Sequence, residues 1–400
     1  MKKRTTKILS LAIAVLLIGI IAVGCAPAAP AAPAGGGAAA PAGDAPAGGG
    51  GAAAPAGGGG AAAPAPAPED TGQTWNIDIS VTLGEMISPA WADNFRQIEE
   101  RSGGRISTTV HWSQALLPIP EIPRGIMTGV AQFSNLPSPN YVDILPLNTR
   151  ILQLPYMGLR DPVISAEIYM QLFNEFPEMR EEMAQFNMLP IAATTLGVYD
   201  LFLVDMNEVR VPADMSGRVI VPYKLEFLPL LEAYGASGTN IPPGQLFENL
   251  ERGVVDGYVN NWSFMGWFGF TDLLHQAVRL DDYGAFQEFN ILVINTDFYN
   301  EMPQDLRDIW HDVFWNERGF ERMWGDTIAV AEREIANAEE RAARGDFLFV
   351  DLTPEERAMW RDALYGTHAS TLDDINSIRG DTVATDIYNR AREIIAERLG

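Results

Sequence analysis

Trp75-Asn76-Ile77-Asp78-Ile79-Ser80-Val81 alternates apolar and polar side chains at the period of a half-buried strand. Over residues 89–101 the period changes, and Trp91, Phe95 and Ile98 fall at helical spacing. Ser102-Gly103-Gly104-Arg105 stops that helix, since glycine takes the left-handed conformation that helix C-termini favour, and residues 106–112 return to strand. The chain therefore opens as a βαβ unit. Similar alternation follows: helices at 122–128 and 166–173, strands at 130–134, 188–195 and 218–221. This pattern predicts an α/β protein with mainly parallel sheets.

The last third changes character. Residues 303–344 read as helix rich in Glu and Arg, and Thr353-Pro354-Glu355-Glu356 supplies an N-cap, a proline at the first helical position and a capping-box glutamate. A final helix is expected over residues 382–398. Charge-rich stretches of this kind read as the solvated faces of packed helices.

Upstream of the βαβ unit the composition is of another kind. Lys2, Lys3, Arg4 and Lys7 precede an apolar run over residues 8–23, which ends in Gly24-Cys25. That order is the layout of an export signal, and the run is short for a membrane span of about 20 residues. Ala22-Val23-Gly24-Cys25 resembles a bacterial lipobox, which implies a signal peptide over 1–24, acylation of Cys25 and a lipid anchor on the outer face of the cell membrane. Residues 26–68 are nearly pure Ala, Pro and Gly with Asp44 the only charge, so residues 25–70 read as the anchored cysteine and a disordered tether. Random-coil scaling gives this leash a reach on the order of 35–40 Å.

Charge excludes several partner classes. The 400 residues carry 28 basic and 52 acidic side chains for a net charge of −24, and four of the cations belong to the export signal. Nucleic acid and anionic membrane surfaces need clustered cations, so neither is expected as a partner. Lys224 is the only lysine beyond residue 7, and one cysteine permits neither a disulfide framework nor a Cys-based zinc site. His111, His275, His311 and His368 show no metal-ligand spacing, and there is no nucleophile elbow, phosphate loop or dinucleotide fingerprint. No metal, no cofactor and no catalytic residues are expected.

One constellation is more specific. Val211-Pro212-Ala213-Asp214-Met215-Ser216-Gly217 is followed by the stretch 241–257, which ends Leu250-Glu251-Arg252-Gly253-Val254-Val255-Asp256-Gly257. In order along the chain stand also Ser102-Gly103-Gly104-Arg105-Ile106, Leu154-Pro155-Tyr156 and Met302-Pro303. Together they resemble the solute-binding proteins of TRAP transporters, over about residues 74–345. The resemblance implies a two-lobe fold of the type II periplasmic-binding-protein kind, with discontinuous lobes and a long bracing helix. Lobe 1 is expected at 74–197 plus 286–325, lobe 2 at 198–285 plus 326–400. It further implies closure on a small organic solute and its delivery to TRAP membrane subunits, and the protein is expected to be a monomer.

The departure from that family concerns the ligand. An arginine that forks onto a substrate carboxylate usually follows the glycine, yet here the segment reads Gly217-Arg218-Val219-Ile220-Val221-Pro222, one residue short. Aligned from the glycine the position is Val221; aligned from the proline it is Ile220. Arg218 and Lys224 are the two substitutes within reach. A second family arginine falls in Tyr199-Asp200-Leu201-Phe202-Leu203, which reads as apolar. Asn260 matches a ligand-contacting asparagine, and Trp262-Ser263-Phe264-Met265-Gly266-Trp267-Phe268-Gly269-Phe270 reads either as core or as a ligand wall. Following the family's cleft, the candidate solute contacts are Glu85, Met86, Asn135, Tyr156, Tyr199, Tyr223, Asn260 and Trp262. The expected solute is neutral, apolar or zwitterionic, with a carboxylate held by Arg218 or Lys224 as the alternative. A sensory receptor and an exported lipid-anchored enzyme are the rival functions.

Overall fold

The computed structural model describes residues 72–399 apart from 86–88, 160, 196–198, 223–227, 240, 242, 281–287 and 317–318. The export signal, Cys25, the tether, Met86, Tyr223 and Lys224 lie outside the described residues.

Two sheets form the framework. The first has the order β2 (Ile106–His111), β1 (Trp75–Ser80), β3 (Phe133–Pro137), β10 (Phe289–Asn295), β4 (Met188–Thr195). The second runs β11 (Leu348–Asp351), β9 (Gln276–Arg279), β5 (Tyr199–Leu203), β8 (Gly257–Asn261), β6 (Val219–Val221), β7 (Ser237–Gly238). The helices that surround the first are α1 (Pro89–Arg101), α2 (Ile122–Met127), α3 (Pro146–Thr149), α4 (Pro162–Glu175) and α5 (Pro177–Ala184). Then come α6 (Leu228–Ala233), α7 (Pro243–Glu251), α8 (Trp262–Phe268), α9 (Thr296–Glu301), α10 (Gln304–His311), α11 (Gly319–Ala343), α12 (Pro354–Arg379) and α13 (Val383–Leu399).

The βαβ opening is present. β1 pairs in parallel with β2 from Trp75↔Ile106 to Ser80↔His111, and Ile77 and Ile79 bury against Trp91, Phe95 and Ile98 of α1. Phe95 meets Phe133 edge-on at 5.5 Å, and Phe133 stacks on Phe314 at 5.7 Å. Truncating such a buried ring to alanine costs about 3–5 kcal/mol.

Both sheets are mainly parallel, with one reversed strand in each, and the reason for the reversal is the lobe crossing. β5 enters the second sheet from the first, and β10 enters the first from the second, so each starts at the edge where its neighbours end. β5 accordingly runs antiparallel to β8 and β9, and β10 antiparallel to β3 and β4. One difference from expectation lies in β3, which begins at Phe133 and not at residue 130. Gly129 there turns the chain at φ 75°, and Val130 N–H still donates to the Gly125 carbonyl of α2.

The helical stretch expected over 303–344 is interrupted by a π-helical turn, Asp312–Asn316. α11 then restarts at Gly319, where a Cβ would lie 2.5 Å from the Val313 carbonyl oxygen, so only glycine permits the approach. The Asn94 side chain donates to the Gly319 carbonyl at 3.1 Å and fixes that start on α1.

Two long helices touch both sheets' cores. On α11, Met323 belongs to the first core and Asp326 accepts from Ala90 N–H, while Ala338 belongs to a second-sheet core and α8 packs alongside. On α12, Trp360 and Leu364 join the second core, whereas Leu372 and Ile375 join the first. Ala384, Ile387, Ala391 and Ile394 of α13 are also in the first core. The expectation that residues 326–400 belong with lobe 2 thus fails for the end of the chain, because α13 places its apolar stripe on α4, tied by Arg398 to Glu167 and by Arg390 to Glu175.

Candidate functional site

Strand direction decides where a site can form. In the first sheet β1, β3 and β4 end, and β10 begins, at one edge; in the second, β6 and β8 end, and β5 begins, at one edge. Three residues separate Thr195 from Tyr199, which keeps the two edges within about 14 Å of each other along the chain. Open α/β sheets place ligands outside such carboxyl ends.

On the second-sheet edge, Tyr199 lies opposite Asn261 and Asp200 opposite Asn260. The Tyr199 ring is fully buried, and its hydroxyl donates to Glu288 Oε2 at 2.6 Å. Trp262 caps the end of β8: its Nε1 donates to Asp200 Oδ2 at 2.8 Å, while its ring stacks on Phe349 at 5.7 Å and meets Phe202 edge-on at 4.9 Å. The indole is therefore pinned in the core, and of the aromatic run only Phe268 is markedly exposed. Asn261, the N-cap of α8, accepts from Phe264 N–H and from the Ser263 hydroxyl. Asn260 is half-buried, with Oδ1 accepting from Asn261 N–H at 2.8 Å.

On the first-sheet edge, Asn135 is fully buried. Its Oδ1 accepts from Thr82 N–H at 3.0 Å, and Nδ2 donates to Thr82 Oγ1 at 2.7 Å and to Asn290 Oδ1 at 2.8 Å. Both amide hydrogens are committed to holding the end of β1 against β3 and β10. Glu85 is exposed just beyond β1. Tyr156 stands apart: its neighbours Leu154 and Met157 are in the first core, but its ring joins the second, with its hydroxyl 3.5 Å from the Leu280 carbonyl. The structure thus gathers Tyr199, Asn260 and Trp262 at one edge, places Asn135 at the other, and buries Tyr156 in packing between the two cores.

The Arg218 alternative does not survive the topology. Arg218 precedes β6, at the edge opposite to Tyr199 and Asn261, because β6 runs parallel to β8 and antiparallel in sense to β5. Its guanidinium forks onto Asp205, with Nη1 at 2.6 Å and Nη2 at 3.3 Å. Burial raises and Arg218 lowers the Asp205 pKa, with a net downward shift. Ile220 and Val221, at the family's arginine position, are both buried.

Three charged groups escaped sequence reasoning. Asp200 was hidden in an apolar stretch, Glu288 carries no motif, and Arg279 ends β9 at the same edge as Tyr199. Arg279 lies over the Phe349 ring, 4.4 Å from its centroid, and pairs with Asp351 Oδ1 at 3.2 Å. Two surface cavities, about 370 Å³ beside Glu334 and Arg341 and about 430 Å³ beside Tyr299 and Trp315, include none of the candidate residues.

Over residues 90–373 the sequence matches the family described as bacterial extracellular solute-binding protein, family 7 (DctP). The chain belongs to this family. A solute-binding protein of Chromohalobacter salexigens is 23% identical over 198 residues, 49% of this chain and 56% of the relative, so the match spans about half the length of that curated relative. Among solved structures, a marine-metagenome TRAP solute-binding protein specific for aromatic acid ligands, in complex with metahydroxyphenylacetate, superposes with TM-score 0.69 at 13% identity. It covers 81% of this chain and 99% of that one. A TRAP solute-binding protein from Rhodoferax ferrireducens T118, in complex with copurified benzoate, gives TM-score 0.68 at 16% identity over 81% and 98%. At such identities the likeness is one of fold: this family-7 chain has the two-lobe α/β fold of TRAP solute-binding proteins.

Proposed function

We propose that this protein is the extracytoplasmic solute receptor of a TRAP-type transporter. It captures a small organic solute between its lobes and passes it to the membrane subunits, acting as a monomer without enzymatic turnover. The lobes are residues 74–197 with 286–325 and residues 198–285 with the chain from residue 326, whose end returns to lobe 1. An export signal over 1–24 directs it across the cell membrane, and a lipid on Cys25 holds it at that membrane's outer face, on the tether of residues 25–70. The observation that carries this reading is the pair of sheet edges joined by the three-residue crossover from Thr195 to Tyr199, with Tyr199, Asp200 and Asn260 on one and Asn135 and Asn290 on the other. Closure of hinged lobes follows from the solute's additional contacts in the closed state.

The solute is neutral, apolar or zwitterionic. In support, the family's arginine position is aliphatic, and Arg218 is committed to Asp205 at the opposite edge. The acid ligands of the fold relatives favour a second reading, a carboxylate held by Lys224. A thermal-shift screen with 2-oxo acids, sugar acids, aromatic acids, and neutral or betaine-like compounds separates the two. A ligand at about 100 times its Kd stabilises by roughly 2.7 kcal/mol. Stabilisation by acids alone overturns the ligand class, and turnover of the bound compound overturns the receptor reading.

A further inference from the structure

The exits of β1 and β2 are laced together at the first-sheet edge. Their parallel ladder runs to Ser80↔His111, and Val81 N–H still donates to the His111 carbonyl at 2.9 Å. The chain then turns back on itself. Ser113 N–H donates to the Leu83 carbonyl at 2.9 Å and Gln114 N–H to the Val81 carbonyl at 3.0 Å, so residues 113–114 run against the direction of residues 81–83.

Two successive residues in the left-handed region make that reversal, Ser113 at φ 55° and Gln114 at φ 62°. Neither is glycine, and both are exposed, so no buried side chain forces the conformation. It is uncommon for such residues and persists where surrounding contacts impose it. Here those contacts are the two N–H groups on the exit of β1, braced by Gln114 Oε1, which accepts from Ile119 N–H at 3.2 Å. On its other flank the same exit is held by Asn135. Its Oδ1 accepts from Thr82 N–H, while Nδ2 donates to Thr82 Oγ1 and to Asn290 Oδ1. Two separate sets of bonds thus fix residues 81–83 immediately before Glu85, which is exposed at the edge. Strain retained in a surface turn, where glycine would relieve it, points to a positioning role.

We propose that Ser113 and Gln114 are positioning residues: their left-handed turn, with Asn135 opposite, holds residues 81–85 in the conformation that receives the solute. The inference rests on the receptor reading, in which this edge faces the solute. The gain is preorganisation, since a segment already ordered need not be ordered on binding. The test compares full-length Ser113→Pro with Ser113→Gly. Proline lacks the N–H and fixes φ at about −65°, whereas glycine keeps the N–H and takes positive φ freely. Exchange of the Thr82 amide, followed by NMR, is expected to quicken about tenfold in Ser113→Pro and to keep the parent rate in Ser113→Gly, with buried Ile77 of β1 unchanged in both. Binding is read by calorimetry with the compounds of the solute panel, beginning with glycine betaine and benzoate. The Kd of the compound that binds is expected to rise about tenfold with proline and less than about twofold with glycine. Ser113→Val, which keeps the N–H but disfavours positive φ, replaces a proline variant that does not fold. A folded Ser113→Pro or Ser113→Val protein with the parent's Thr82 exchange, or with the parent's Kd, overturns the proposal. If no compound of the panel binds the parent, the receptor reading fails, and Thr82 exchange still decides whether the turn holds the exit of β1.

Discussion

The Tyr199 hydroxyl donates to Glu288 Oε2 at 2.6 Å, linking the first described residue after one lobe crossover to the first described residue after the other. The bond joins two chain segments that no secondary structure pairs. Tyr199→Phe keeps the buried ring and removes only this donor. A hydrogen bond to a charged acceptor contributes about 1.5–3 kcal/mol, so the urea midpoint is expected to fall by that equivalent with an unchanged slope. An unchanged midpoint would show that the bond does not tie the crossovers.

Arg218 offers a test of the site's location. It pairs with Asp205, and both lie at the sheet edge opposite Tyr199. Arg218→Met is expected to reduce stability, because it leaves a partly buried carboxylate without its guanidinium. Solute affinity, measured by calorimetry on whichever compound the thermal screen identifies, is expected to stay within about twofold. A tenfold loss of affinity would return Arg218 to the binding machinery.

What the sequence made legible was whatever depends on local periodicity. β1, α1 and β4 appear within a residue of their expected bounds, since alternation and helical spacing are properties of the segment itself. The directions of β5 and β10 were not legible, because they follow from the chain crossing between lobes. The same holds for the site. Tyr199, Asn260 and Trp262 were reachable from spacing and family likeness, but the partners that decide their chemistry, Asp200 and Glu288, come from register and from a distant crossover. The aromatic run shows the limit most clearly: Trp262 and Phe270 are core, and no property of the nonapeptide alone separates core from ligand wall.

Trp262 and Asp200 form the next test. The indole Nε1–H is the donor to a carboxylate buried between β5 and β8. Trp262→Phe retains an aromatic ring against Phe202 and Phe349 but leaves Asp200 short of a partner, at about 1–3 kcal/mol. Asp200→Asn carries no charge to leave stranded. The double variant is therefore expected to lose less than the sum of the single losses, by about 0.5–3 kcal/mol in a urea-denaturation cycle. Strict additivity would mean that the two side chains do not act together.

His368 sets an acid limit on stability. A carbonyl only accepts, so the 2.7 Å contact to Pro155 places the proton on Nε2 and leaves Nδ1 to take the Tyr388 hydroxyl at 3.0 Å. Burial of the ring is the main force pushing its pKa below 6.5; the Pro155 carbonyl opposes this, and the nearby Arg392 charge adds to it. The unfolded chain therefore binds this proton before the folded one does. Stability held above pH 6.5 is lost progressively as pH falls through the folded value, and the loss begins above the ordinary carboxylate range of about 4. Chemical-denaturation midpoints between pH 8 and about pH 5 should fall on the acid side, and His368→Gln, which retains a donor and an acceptor, should flatten that limb. A wild-type midpoint level across the same interval would mean that His368 titrates alike in both states, and the burial argument would then be wrong.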